Sequence, residues 1–167
     1  RKADLPYELE ASRVYEGVQI RKKNMIAESD SETEELKIQN LVVPGETKWK
    51  QGCFTAKIYS YNGEKILEKK YTKWFDYDKI KKCPMIRTRQ TGDYLTIADG
   101  RGGMIRKSLK SYFVDQKIPR KERDRLPILA EDDHVLWVMG YRISEYYKVT
   151  ENTKRILKVQ LIRKEFA

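Results

Sequence analysis

Only two cysteines, Cys53 and Cys83, and a single histidine occur in these 167 residues. The cysteines lie far apart with no Cys-x-x-Cys spacing, which argues against a structural zinc site and against a disulfide framework, and fits a reducing cytoplasm. No apolar run approaches the roughly twenty residues needed to cross a bilayer as a helix, so a membrane-spanning chain is excluded at this level. The start, Arg1-Lys2-Ala3-Asp4, has neither an initiator Met nor the apolar stretch of a signal peptide, so the chain reads as an excised piece of a longer protein. No internal repeat and no long Pro/Gly/Ser-rich linker divides it. Catalytic and metal-binding patterns are equally sparse. Asp93, Asp99 and Asp115 fall in no EF-hand or His-Glu-x-x-His spacing. His134, following Asp132-Asp133, reads as part of a turn and has no Ser or Cys nucleophile in a recognisable catalytic context.

What is present is enough for a core: 40% apolar residues, eleven Tyr and three Trp. Charged residues make up 36%, and the net charge is +10. Its distribution is uneven. Residues 1–78 carry fourteen Lys/Arg and fourteen Asp/Glu; residues 79–125 carry fourteen against five; residues 126–167 carry seven against six. A concentrated basic stretch is the electrostatic footprint of a surface that neutralises phosphates and releases their counterions.

The first half reads as β-structure. Residues 13–20 and 53–61 have the β-branched and aromatic content of half-buried strands. Asn62-Gly63 supplies a tight turn, and residues 66–71 form the returning strand of a hairpin. The acidic segment Glu28-Ser29-Asp30-Ser31-Glu32-Thr33-Glu34-Glu35 is an exposed loop. In the second half, residues 85–89 form a short strand with Arg87 and Arg89 on one face. The spacing of Ile105, Leu109, Tyr112 and Phe113 predicts an amphipathic helix, with Arg106, Lys107 and Lys110 off its apolar stripe. Pro119 opens a second short helix over residues 120–125, and Pro127 ends it. Residues 135–139 form a buried strand that packs Trp137, and residues 156–162 a C-terminal one. Cys83 beside Pro84 is a small buried hydrophobe, and Arg142 reads first as a structural ion-pair former and second as an RNA contact. The expectation is an α+β unit, with a β-rich lobe over residues 1–78 and a mixed lobe over residues 79–167, together making one compact body.

One block is far more specific than any of these patterns. Gly92-Asp93-Tyr94 and Gly100-Arg101-Gly102-Gly103 are followed by RKSLKSYFVDQKIPRKERDRLPILAEDDHVLWVMGYRISEYY, ending at Tyr147. This block resembles the C-terminal portion of the tRNA(Ile)-lysidine synthetase (synthase) family, through Phe113-Val114-Asp115, Lys117-Ile118-Pro119-Arg120, Arg123-Asp124-Arg125-Leu126-Pro127-Ile128-Leu129 and Trp137-Val138-Met139-Gly140-Tyr141-Arg142-Ile143. Leu5-Pro6-Tyr7, Val43-Pro44-Gly45-Glu46-Thr47 and Lys73-Trp74-Phe75-Asp76 are similar to clostridial-type members, so the resemblance extends over nearly the whole chain. It implies a sheet-sandwich core with short helices, like the domain shared with the phenylalanyl-tRNA synthetase β-subunit. It also implies an ATP-dependent ligase, using ATP and Mg2+ to join L-lysine to C2 of the wobble cytidine in tRNA(Ile) with a CAU anticodon. The family's Ser-Gly-Gly-x-Asp-Ser phosphate loop, which belongs to an N-terminal catalytic domain, is absent from this sequence. The fragment is therefore expected to be inactive alone, with no catalytic residue, no metal and no cofactor of its own, and to work beside its own N-terminal catalytic domain in the cytoplasm.

Candidate RNA-binding residues follow from both lines. Arg101 lies in a glycine-rich turn that is expected to open onto the helix carrying Arg106, Lys107 and Lys110, where free amides and cations would meet a phosphate. Lys117, Arg120, Arg123 and Arg125 match the family's Lys-Ile-Pro-Arg and Arg-Asp-Arg motifs, and Arg87 and Arg89 its arginine strand. Glu122 and Asp124 are interleaved with the second group and compete for its charge. The family's helix often has a lysine where this chain has Ser108. Two functions compete: docking of tRNA, through its acceptor stem, or a structural module that braces the catalytic domain or forms a homodimer, its basic face incidental.

Overall fold

The computed structural model describes the backbone of residues 2–5, 9–14, 17–22, 38–50 and 52–163. The chain separates into two units, residues 1–37 and 38–167. The first contains three antiparallel strands, β1 (Lys2–Leu5), β2 (Leu9–Val14) and β3 (Gly17–Lys22), with Leu5 paired to Leu9 and Val14 to Gly17. The stretch expected to run as one strand over residues 13–20 is thus β in character but shared between two strands of a hairpin. The acidic segment 28–35 lies outside the described residues.

The second unit runs β4 (Ile38–Asn40), β5 (Gly45–Trp49), β6 (Gly52–Ser60), β7 (Thr72–Asp76), β8 (Met85–Arg87), β9 (Tyr94–Ala98) and β10 (Met104–Ser108). It continues through helices α1 (Leu109–Asp115) and α2 (Arg120–Arg123) to β11 (Ile128–Glu131), β12 (His134–Val138) and β13 (Arg155–Arg163). Short 3-10 turns occupy Tyr77–Lys79 and Glu145–Tyr147. Six strands form one sheet in the order β10-β9-β12-β11-β8-β4, and four form another in the order β5-β6-β13-β7. Every pairing is antiparallel except that of β12 with β9. The α+β class holds, with little helix. Residue 79 is not a boundary, because strands from before it, β6 and β7, both pair with β13 from the end of the chain.

Alternation along the strands builds two cores. Trp49, Phe54, Ala56, Phe75, Leu157 and Val159 of the four-stranded sheet pack with Ile86, Leu129, Leu136 and Trp137 of the six-stranded one. On the other face of the larger sheet, Leu109, Tyr112 and Phe113 of α1, followed by Ile118, cover Leu95, Ile128, Ala130, Val135 and Val138. Burying each such Leu or Phe contributes about 1.5–3 kcal/mol. Strand β12 supplies both cores by an irregularity: Leu129 pairs with Trp137 but Ala130 with Val135, so Leu136 is an extra residue. This bulge lets Leu136 and Trp137 both join the core between the sheets.

Two expected elements differ. Residues 62–71 contain no strand, and β7 begins at Thr72. Both edges of β6 are already paired, to β5 and β13, which leaves no edge for a hairpin partner. The helix expected from Ile105 begins at Leu109; residues 104–108 are instead strand β10, paired to β9. Ile105 is half exposed there, so its spacing relative to Leu109 was coincidental. Cys83 is exposed rather than buried.

Candidate nucleic-acid interface

Helix α1 starts where Ser108 caps it. The Ser108 hydroxyl accepts the Ser111 amide at 3.1 Å, and the Leu109 amide donates to the Asp93 carbonyl at 2.9 Å. Ser108 therefore has a helix-starting role. The helix ends as a Schellman motif: Lys117 takes φ +55°, its amide donates to Val114 O at 3.0 Å, and Ile118 donates to Phe113 O at 3.1 Å. Phe113 and Ile118 share the same core, the apolar contact that accompanies this ending. Lys117 is held at the surface in consequence.

Glycines 100, 102 and 103 turn β9 into β10 and do not open onto a helix. The Asp99 carboxylate accepts the amides of Arg101 at 2.7 Å and Gly103 at 3.0 Å. Those amides are thus satisfied within the loop, and the expected backbone cradle for phosphate is occupied by an aspartate. Arg101 itself projects from the turn, exposed.

The ten candidate cations divide by environment. Arg87 is 3% exposed. Its guanidinium donates to Asp93 at 2.8 and 2.7 Å and to the Asp132 carbonyl at 2.8 Å, so it cannot present charge to a partner, contrary to expectation. Arg89 is paired to Asp124 at 2.9 Å and lies over the Phe113 ring at 5.8 Å. Lys107 is paired to Asp115, tying β10 to α1. Arg123 is half-buried and donates to the Ile118 carbonyl at 2.7 Å. Arg101, Lys110, Lys117, Arg120 and Arg125 are exposed, and no side-chain ion pair engages them among the described residues. Lys121 belongs with them though the motif match did not single it out. Asp124 spends its charge on Arg89, not on its helical neighbours, so a closed network of ion pairs along α2 does not form.

Arg106 stands apart. Its guanidinium lies 4.4 Å from the centre of the Tyr94 ring. Tyr94 stacks on His134 at 4.6 Å and 21°, and His134 in turn lies 4.6 Å from Tyr147. Burial holds the His134 pKa below the ordinary histidine value and raises that of the Tyr94 phenol. Sequence reasoning missed this stack; the parallel pairing of His134 with Tyr94, which brings the rings together, has no local sequence signal.

Other expectations fall as follows. Trp137 is fully buried. Arg142 pairs with Glu145 at 3.7 Å. Asp93, Asp99 and Asp115 are separately engaged, by Arg87, the loop amides and Lys107, and no group of three metal-ligating side chains gathers among the described residues. No helix among them is long and apolar enough to cross a membrane.

Comparison with known proteins agrees with this architecture. Residues 85–161 match the family described as the TilS substrate C-terminal domain. The tRNA(Ile)-lysidine synthase of Caldanaerobacter subterraneus subsp. tengcongensis is 38% identical over 162 residues, covering 95% of this chain and 32% of that protein. That of Clostridium tetani is 43% identical over 91 residues, 54% of this chain and 19% of that protein. A solved structure titled "Crystal structure of TILS C-terminal domain" superposes with a TM-score of 0.62 at 26% identity, covering 77% of this chain and 98% of that one. The chain spans about a third or less of the curated relatives' length. With the matched block, the two-sheet fold and the long alignment in agreement, this chain belongs to the tRNA(Ile)-lysidine synthase family, as its C-terminal portion.

Proposed function

We propose that this chain is the tRNA-docking portion of a tRNA(Ile)-lysidine synthase. The observation that carries the reading is the set of exposed cations without acidic partners among the described residues, on and around the helical layer: Lys110 of α1, Lys117 at its end, and Arg120, Lys121 and Arg125 of the α2 segment. They fall within the stretch that holds nearly all the net positive charge, and within the block that matches the family. Such cations bind phosphates by releasing counterions and fix the orientation of a nucleic acid without reading its sequence. The partner is tRNA(Ile) bearing a CAU anticodon, held by its acceptor stem. Paired RNA offers shape, phosphates and 2′-hydroxyls, which suits a surface of cations more than one of splayed-base pockets.

The chemistry belongs to a nucleotide-binding domain outside this chain, which would use ATP and Mg2+ to ligate lysine to the wobble cytidine in the cytoplasm. Docking the acceptor stem here presents the anticodon there, turning an encounter into a positioned reaction. The fragment alone is inactive.

Reversing charge at two exposed sites, Lys110→Glu with Arg120→Glu, tests the reading. A filter-binding titration of tRNA at several salt concentrations is expected to show affinity falling about 10- to 100-fold, with the salt slope reduced by roughly two. Unchanged binding at low salt would sink it.

A further inference from the structure

Arg106 and Lys107 are neighbours in β10 yet serve opposite faces of the sheet. Lys107 pairs across the ladder with Leu95, a member of the core beneath α1, and reaches Asp115 of that helix. Arg106 pairs across with Thr96, whose hydroxyl accepts the Tyr146 amide at 3.0 Å and lies 3.3 Å from His134 Nε2. That is the face turned towards Tyr147 and the core between the sheets. Arg106 therefore tops a pillar of rings, Tyr94, His134 and Tyr147, whose base is fully buried.

A guanidinium held 4.4 Å from the centre of an aromatic ring is ordered by that contact, and its planar fork of N–H groups suits an oxyanion. Arg106 is exposed, and no acid pairs with it among the described residues. Strand β10 is also the last strand of its sheet, so its outer edge has no neighbour within the described ladder. Cations thus flank this edge on both faces, Arg106 on one and Lys110 of α1 on the other, where Lys107 is held by Asp115, with Arg101 in the turn before the strand.

We propose that Arg106 is a pre-oriented fork for a phosphate of double-helical RNA, and that the RNA straddles the β10 edge, with one phosphate row on the helical side and the other on the Arg106 side. The proposal rests on the docking function above and deepens it. A-form RNA has a wide, shallow minor groove bounded by two phosphate rows, and a strand edge with cations on both faces matches that geometry. A single strand has one phosphate row and would leave one face unused. Tyr94 is then a positioning residue, acting through Arg106.

The full 167-residue chain, titrated with tRNA(Ile), with an RNA hairpin and with a single-stranded RNA of the same length, separates the possibilities. Arg106→Ala is expected to weaken tRNA binding about tenfold and to lower the salt slope by roughly one. Arg106→Lys keeps the charge but loses the fork, and is expected to weaken binding about fivefold with the slope unchanged. Tyr94→Leu leaves Arg106 in place without its support and should cost about threefold; thermal unfolding reports whether this variant stays folded, and if it does not, Arg106→Lys decides. Wild-type affinity in Arg106→Lys overturns the fork. Equal affinity for the single strand and the hairpin overturns the straddled duplex. If Arg106→Ala binds normally while the Lys110/Arg120 reversal does not, Arg106 lies outside the footprint and only this inference fails; if neither matters, the docking function fails as well.

Discussion

Arg87 and Asp93 face each other through two parallel hydrogen bonds, Nη1 to Oδ2 at 2.8 Å and Nη2 to Oδ1 at 2.7 Å, with side chains 4% and 1% exposed. The same carboxylate accepts the Gln90 amide at 2.7 Å, and the same guanidinium donates to Asp132 O. One ion pair thus joins the end of β8, the turn before β9 and the turn between β11 and β12. Removing either partner leaves a buried charge uncompensated, which costs about 3–5 kcal/mol. Arg87→Met and Asp93→Asn are each expected to shift denaturant unfolding by that amount. Arg87→Met, measured where it is still folded, should bind tRNA nearly as the parent does, since the guanidinium makes no outward contact.

Lys117 holds a left-handed backbone, φ +55°, at a position that favours glycine. Its cation and its strain can therefore be separated. Lys117→Gly is expected to raise stability by about 0.5–1 kcal/mol while lowering tRNA affinity, two opposite changes read by thermal unfolding and by titration. A variant that loses stability would mean the side chain packs in a way the helix ending does not require.

His134 lies half-buried among Tyr94, Tyr146 and Tyr147, and its pKa is depressed, chiefly by burial. The folded state therefore binds a proton less readily than the unfolded chain does. Stability from this residue is complete above the ordinary histidine value of 6.5 and is lost as pH falls through it towards the lower folded value. Denaturant midpoints measured between pH 5 and 8 are expected to rise with pH, and His134→Phe, which keeps a flat ring but cannot titrate, should flatten that part of the profile.

Strands with strong alternation were legible one by one. The aromatic run at residues 53–61 became β6, the apolar run at residues 135–139 became β12 with a one-residue offset, and Ile156 to Ile162 fell inside β13. Strand β10 was not legible. Ile105, Leu109, Tyr112 and Phe113 satisfy a helical spacing, and only pairing with β9 shows that the chain is extended as far as Ser108. Asn62-Gly63 failed for a similar reason: a turn signal does not say which strand returns, and β6 was already paired on both sides. For the candidate site, charge and motif pointed to residues 79–125, but Arg87 and Lys110 look alike in sequence and differ wholly in burial.

The amino-acid order by itself determined the family, the α+β composition and the concentration of positive charge between residues 79 and 125, because these depend on residue identity and short-range periodicity. Tertiary structure alone decided which cations remain available. Whether a guanidinium is sealed against Asp93, as in Arg87, or laid open on a ring, as in Arg106, depends on partners brought together by strand pairing and sheet packing. Burial in a low-dielectric interior turns the first into structure, and a place on the last described strand of its sheet leaves the second exposed.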